Sequence, residues 1–134
     1  MTSRLLYLDA SALLKLVVDE PESAALQRFL RNWSARVVSA VARVETNRAL
    51  LRAGADRAAY ARLQAILRYV AVLRIDDDIL SRAERIGPPA LRSLDAIHLA
   101  SAARLGSDLG MLVTYDKRLA AAAADAAMQV ASPA

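Results

Sequence analysis

Four acidic residues stand at places in the sequence from which their side chains could act together on a metal ion or a phosphate. Asp9 directly follows the apolar run Leu5–Leu8, and Asp116 directly follows the apolar segment MLVTY. Asp95 lies near the start of SLDAIHLASAARLG. Glu45 lies within the segment SAVARVETNRALL, four residues after one apolar position and four before another. Glu45 therefore shares the side of its helix that should pack inward.

Acids that meet in a folded chain need a cation beside them. Two like charges about 4 Å apart repel by on the order of 4 kcal/mol at an effective dielectric near 20. The chain contains no cysteine and a single histidine, so the oxygen-preferring ions Mg²⁺ and Mn²⁺ are the natural partners. The candidate catalytic and metal-binding residues are Asp9, Glu45, Asp95 and Asp116.

Each acid also has an ordinary structural interpretation. Asp9 and Asp116 could cap the helices that follow them, and Asp95 could complement the N-terminus of its own helix. Glu45 could pair with Arg48 on the surface. These interpretations stay open for any acid taken singly, and the functional hypothesis depends on all four side chains meeting.

Two other features favour structural roles. Asp76, Asp77 and Asp78 are consecutive, so their side chains point in different directions, and we interpret them as a strand-to-helix junction with an N-cap. His98 lies in mid-helix, one turn after an apolar residue, and is interpreted as a packing residue or as a support behind the site.

Strand and helix patterns alternate along the chain, which predicts an α/β fold with a parallel sheet covered on both faces. Strands are expected at Leu5–Leu8, near 36–38, at 70–75, at 111–115 and at MQV, giving a sheet of four to five strands. In such sheets ligands bind beyond the carboxyl ends of the strands, where Asp9 and Asp116 are expected to lie.

Length and composition fit one globular unit. The 134 residues are predicted to form a single domain, 1–134, and the net charge of +4 is carried mostly by arginine. Asp9 and Lys15 interrupt the apolar N-terminal stretch, which argues against a signal peptide, and no apolar run is long enough to span a membrane. We expect a soluble, cytoplasmic protein that needs no membrane partner.

Together, the segments YLDASALLKL, SAVARVE, LRSLDAIHLASA and LVTYDKRL resemble the PIN-domain family, and most closely the VapC-type toxins of bacterial toxin–antitoxin pairs. The resemblance extends from about residue 5 to residue 125. It implies a three-layer α/β/α fold and a magnesium-dependent endoribonuclease, with Mn²⁺ as an alternative ion. Asp9 and Asp95 match the acids most directly tied to the metal, Glu45 and Asp116 complete the set, and Ser11 and Thr114 match supporting hydroxyl positions.

The resemblance also implies partners: an RNA substrate, a small VapB-like antitoxin that covers the acidic site, and a second copy of the chain in a homodimer. Other functions are weighed from the residues. A haloacid-dehalogenase-type phosphatase needs a second aspartate two residues after Asp9, where this chain has Ser11. A phosphotransfer receiver domain needs a late lysine, for which only Lys117 is available. A non-catalytic protein-binding module is the remaining alternative.

Overall fold

The computed structural model describes residues 4–134, and these form five strands and seven α-helices. The strands are β1 (Leu5–Leu8), β2 (Arg36–Ser39), β3 (Ala71–Leu73), β4 (Leu109–Val113) and β5 (Val130–Ala131). The helices are α1 (Ala10–Val17), α2 (Ser23–Leu30), α3 (Ala40–Arg52), α4 (Arg57–Arg68), α5 (Asp77–Ala83), α6 (Ser93–Arg104) and α7 (Lys117–Asp125).

All five strands are parallel and lie in the order β3-β2-β1-β4-β5. The central strand β1 pairs with β2 on one side and β4 on the other, so Leu8 lies level with both Val38 and Val113. The carboxyl ends of β1 and β4 therefore meet at one edge of the sheet. The predicted parallel sheet of four to five strands is confirmed, with five strands.

The residues of β1 alternate between two cores, one on each face of the sheet. Leu6 and Leu8 pack with α1, α2 and α3, whereas Tyr7 packs with α6 and α7 on the opposite face. All three side chains are fully buried. This alternation follows from the two-residue period of a strand, and it gives the predicted three-layer α/β/α arrangement.

Aspartates start four of the helices. In each case the side chain accepts a hydrogen bond from a backbone N–H in the first turn and so satisfies a donor that has no partner within the helix. These N-cap residues are Asp9 for α1, Asp56 for α4, Asp76 for α5 and Asp116 for α7. The capping role expected for Asp76 is therefore confirmed.

Three predicted strands differ from the observed ones at their ends, and the one expected at MQV, residues 128–130, is found at Val130–Ala131. The strand expected over 70–75 is limited to Ala71–Leu73, because β3 is an edge strand that pairs only with β2. The strand expected over 111–115 ends at Val113, since the N–H of Tyr115 donates to the Ser11 hydroxyl instead of a ladder partner. Within the described part of the chain, no helix is long and apolar enough to cross a membrane.

Candidate active site

Asp9 is the centre of a hydrogen-bond network at the end of β1. Its Oδ1 accepts from the Ala12 backbone N–H (2.9 Å) and from the Ser11 hydroxyl (2.7 Å), and its Oδ2 accepts from the Thr114 hydroxyl (2.5 Å). Only 4% of the residue is exposed. A carboxylate has about four acceptor positions, so three donors leave Asp9 room for one more partner such as a cation.

Ser11 and Thr114 join the ends of β1 and β4. While each hydroxyl donates to Asp9, the Ser11 Oγ accepts from the Tyr115 N–H (2.8 Å) and the Thr114 Oγ1 accepts from the Asp116 N–H (3.0 Å). The two hydroxyl oxygens lie 3.3 Å apart. Because each hydroxyl uses its single proton on Asp9, the network has one consistent set of donors. The structure thus brings both predicted supporting residues against Asp9.

Asp116 fits its structural and its functional interpretation at once. Its Oδ1 accepts from the backbone N–H groups of Arg118 (2.9 Å) and Leu119 (3.2 Å), which makes it the cap of α7. Its own N–H is held by Thr114, which also bonds Asp9. The cap bonds use one carboxylate oxygen, and the half-buried side chain lines an open cavity described below.

Glu45 is bound to a buried histidine rather than to a surface arginine. Its Oε1 lies 2.6 Å from the Nε2 of His98, and the Nδ1 of His98 lies 2.7 Å from the Tyr7 hydroxyl. His98 is 1% exposed, and the Glu45 side chain is 24% exposed. The alternative of a surface pair with Arg48 is not observed, because helix α3 turns Glu45 towards α6 instead of towards solvent.

The pKa of Asp95 shows which charged groups lie near this carboxyl group. Partial burial raises the pKa of its carboxyl group, and the negative charge of Asp116 raises the pKa further. The charges of Asp9 and Glu45 act in the same direction, whereas His98 opposes them. Asp9, Glu45 and Asp116 therefore all lie within electrostatic range of Asp95.

Burial raises the pKa of Asp9 as well, but for this residue the surrounding groups act the other way. Hydrogen bonds from Thr114, Ser11 and the Ala12 N–H all lower the pKa of the carboxyl group, and so does His98 nearby. Donors aimed at a carboxylate favour its charged form. Burial is the larger influence, and the pKa of Asp9 ends above its ordinary value.

The donor set suits a hard divalent cation that keeps part of its water shell. Within residues 4–134, no three acidic or histidine side chains stand close enough to hold one ion by themselves. Mg²⁺ usually retains several waters and takes only one or two protein carboxylates. Asp9 has a spare acceptor position, and Asp95 is an acid whose charge the neighbouring acids disfavour, so these two are the candidates for such carboxylates.

A cavity of about 250 Å³ opens beside two of the acids. Its walls are formed by Asp95 and Asp116 together with three cationic side chains, Arg92, Lys117 and Arg118. A chain of phosphates approaching the acids would meet these cations, which offset the negative charge of the carboxylates.

One part of the site was not predicted from the sequence, namely the contacts that join Tyr7 to His98 and His98 to Glu45. A signal was available: Tyr7 carries the only polar side-chain atom in the run Leu5–Leu8, and His98 follows Asp95 by three residues, which is one helical turn. His98 was interpreted as a packing or supporting residue, and its burial behind Glu45 agrees with both descriptions.

A sequence model of the PIN domain matches residues 6–125. With the parallel sheet and the acids at its carboxyl edge, this match defines the class: the chain belongs to the PIN-domain family. Among characterised relatives, it is 51% identical to ribonuclease VapC46 of Mycobacterium tuberculosis over 128 residues, covering 96% of this chain and 97% of the relative. The resemblance to VapC-type ribonucleases inferred from the sequence is confirmed.

Solved structures of low sequence identity share the fold. The crystal structure of M. tuberculosis VapC20, a toxin that cleaves the sarcin–ricin loop, superposes with a TM-score of 0.73 at 22% identity, covering 87% of this chain and 94% of that one. A toxin–antitoxin complex from Klebsiella pneumoniae superposes with a TM-score of 0.69 at 20% identity, covering 96% and 98%. These likenesses confirm the predicted three-layer fold.

Proposed function

We propose that this protein is a Mg²⁺-dependent endoribonuclease that acts as the toxin of a toxin–antitoxin pair. The observation that carries the proposal is the grouping of Asp9, Glu45, Asp95 and Asp116 at one edge of a PIN fold whose 51%-identical relative is a ribonuclease. PIN-domain ribonucleases generally depend on a divalent metal ion, and the donor set described above fits Mg²⁺, with Mn²⁺ as an alternative.

Each acid has a proposed role in phosphodiester hydrolysis. Asp9 and Asp95 hold the ion, and Glu45 and Asp116 complete the set by orienting water and the ion's outer ligands. When bound, Mg²⁺ supplies a positive charge for the phosphate oxygens and makes water more acidic. Attack of a water molecule on phosphorus, in line with the leaving 3′-oxygen, would break the bond between phosphorus and that oxygen. With one proton from the water lost to solvent and one gained by the 3′-oxygen, the products would carry a 5′-phosphate and a 3′-hydroxyl.

The single histidine argues against a metal-free mechanism that uses the RNA 2′-hydroxyl. Such a reaction needs one group as base and another as acid, each within hydrogen-bond reach of the substrate. His98 is 1% exposed, and both of its ring nitrogens are engaged, by Tyr7 and by Glu45. A buried ring with no free nitrogen is poorly suited to exchange protons with RNA.

The cationic wall of the cavity supports a nucleic-acid substrate. Arg92, Lys117 and Arg118 lie beside Asp95 and Asp116, and the three cations are exposed. Their proposed role is to bind phosphates that flank the scissile one. Contacts of this kind give affinity without reading sequence, and they weaken as salt increases.

The proposed protein partner is a small VapB-like antitoxin, with a second copy of the chain forming a homodimer. An apolar groove of about 420 Å³ between α2 and α4, which includes Leu16, Leu30 and Ile66, offers a surface for an apolar antitoxin segment. A short reading frame upstream, encoding a DNA-binding N-terminus and an amphipathic tail, would support the pairing. Light scattering that finds only monomers would contradict the dimer.

The proposal is tested by incubating purified protein with cellular RNA and Mg²⁺ and sequencing the new 5′ ends. We expect discrete cuts that disappear in EDTA and return when Mg²⁺ is added in excess. Cleavage that persists in chelator would contradict the metal mechanism. No cleavage with either Mg²⁺ or Mn²⁺ would favour the non-catalytic binding module.

A further inference from the structure

Behind the acidic edge of the sheet lies a chain of three side chains that connects the core to Glu45. The Tyr7 hydroxyl lies 2.7 Å from Nδ1 of His98, and Nε2 of His98 lies 2.6 Å from Oε1 of Glu45. The three residues come from β1, α6 and α3 and are separated by 91 and 53 positions along the chain. Only the fold brings them together.

The carboxylate of Glu45 fixes the proton position on the ring nitrogen that faces it. Glu45 as a carboxylate can only accept, so the Nε2 atom facing it must carry a proton and donate. On the other side of the ring, Nδ1 accepts from the Tyr7 hydroxyl in a neutral imidazole and donates to it in an imidazolium. His98 therefore donates from Nε2 to Glu45 in either form.

The ring itself has little freedom to move. Tyr7 and His98 are both fully buried, and their rings pack edge to face, with centroids 5.9 Å apart and planes at 80°. On the other side of the Tyr7 hydroxyl lie the hydroxyls of Ser39 and Ser101, which are also buried. Because the His98 ring is held firmly, its Nε2–H group fixes the position of the Glu45 oxygen that accepts from it.

We propose that His98 is a positioning residue of the site: oriented by Tyr7, it donates its Nε2 proton to Glu45 and holds that carboxylate in place for the metal and its water. The bond occupies Oε1 and leaves the second oxygen of Glu45 for an ion or a water. Carboxylates that ligate metal ions are commonly hydrogen-bonded by a residue behind them, which orients them. This inference rests on the proposed function, because it assigns Glu45 to a metal site.

The first test uses the wild-type protein without Mg²⁺ and depends on His98 being the only histidine in the chain. In untagged protein labelled with ¹⁵N-histidine, one pair of imidazole nitrogens gives all the side-chain signals. We expect a proton on Nε2, and we expect the ring signals to move when Mg²⁺ is added. An Nε2 atom without a proton, or signals that ignore Mg²⁺, would overturn the proposal.

The second test replaces His98 with two amide side chains of different length, glutamine and asparagine. The side-chain nitrogen of glutamine can occupy the place of Nε2 and donate to Glu45, whereas that of asparagine reaches only the place of Nδ1. We expect His98→Asn to weaken Mg²⁺ binding, measured by calorimetry, by about 10- to 100-fold, with the same shift in the Mg²⁺ concentration for half-maximal cleavage. His98→Gln is expected to stay within a few-fold of wild type.

Thermal unfolding of both variants separates positioning from a loss of fold. Equal Mg²⁺ affinity in wild type and a folded His98→Asn variant would overturn the proposal. If that variant does not fold, weak Mg²⁺ binding by a folded His98→Gln variant would overturn it too. A wild-type protein that binds Mg²⁺ with the expected nitrogen signals but cleaves no RNA would contradict the proposed function and leave the positioning role supported.

Discussion

Asp9 and Asp95 carry the same functional group at the same edge of the sheet, but the fold treats them differently. Asp9 is almost fully buried and receives three hydrogen bonds, which oppose the effect of burial on its pKa. Asp95 is partly exposed, and the acids around it add to the effect of burial. The geometry of Asp9 is thus fixed by the protein alone, whereas Asp95 stands in surroundings that a bound cation would relieve.

Replacing Asp9 with asparagine should give the largest effect. The variant Asp9→Asn keeps the size of the side chain and can still accept at Oδ1 from Ser11 and Ala12, but it removes the charge. We expect RNA cleavage to fall by about 100-fold or more, since groups one step removed from a metal already contribute about 10- to 100-fold. Initial cleavage rates at saturating Mg²⁺ provide the measurement.

The matched control is Asp78→Asn, which removes an exposed acid that pairs with Arg82 and Arg104 away from the site. This control should cleave like the wild type. Full activity in Asp9→Asn would remove Asp9 from the site, and equal loss in both variants would point to a general effect of charge.

Removing the Thr114 hydroxyl tests how far the fold supports Asp9. Thr114→Val keeps the shape of the side chain but leaves Oδ2 of Asp9 and the N–H of Asp116 without their partner. We expect the free energy of unfolding to fall by about 1–3 kcal/mol, the usual effect of leaving a buried polar group unsatisfied. Urea unfolding monitored by circular dichroism measures the loss.

Thr114→Ser is the comparison for this prediction, because it keeps the hydroxyl while it removes a methyl group. The Thr114→Ser variant should retain most of the stability that the Thr114→Val variant loses. If serine and valine destabilise the protein equally, packing of the methyl group rather than the hydrogen bonds would account for the effect, and Asp9 would not depend on Thr114.

The difference between the two acids also marks the limit of what the sequence could predict. Asp9 and Asp116 were located from sequence because each follows an apolar segment, and a parallel sheet brings the ends of β1 and β4 to one edge. The roles of Ser11 and Thr114 came only from the family resemblance. Nothing in the local pattern shows that hydroxyls 103 positions apart would share one carboxylate.

The contact between Glu45 and His98 was harder still to predict. Helical spacing correctly gave Glu45 an inward direction, but the one partner it offered was the alternative Arg48, three residues away, because local pairs are the ones that spacing can reveal. The actual partner lies on α6, and the distance between α3 and α6 depends on how both helices pack on the sheet. Contacts of this kind follow from tertiary packing, which a single sequence does not specify residue by residue.

The raised pKa values of Asp9 and Asp95 predict how stability depends on pH without metal. A carboxyl group whose pKa is higher in the folded state binds more protons there than in the unfolded chain, so stability falls as pH rises. The contribution of these two groups is complete below the ordinary value of 3.8 and is lost as pH passes through the raised pKa. Thermal unfolding in EDTA measures this effect: Asp9 and Asp95 should lower the melting temperature as pH rises through this range.

Asp95→Asn is expected to change the stability of the protein least, and in the opposite direction to Thr114→Val. Because the substitution removes a charge that Asp116, Asp9 and Glu45 all repel, the metal-free protein should become more stable at neutral pH. The gain should be less than about 1 kcal/mol, since solvent screens a partly exposed carboxylate. Added Mg²⁺ should raise the melting temperature of the wild type more than that of the variant, and a variant less stable than wild type in EDTA would contradict this account. Loss of cleavage together with a gain in stability would identify Asp95 as an acid kept for its ion and not for the fold.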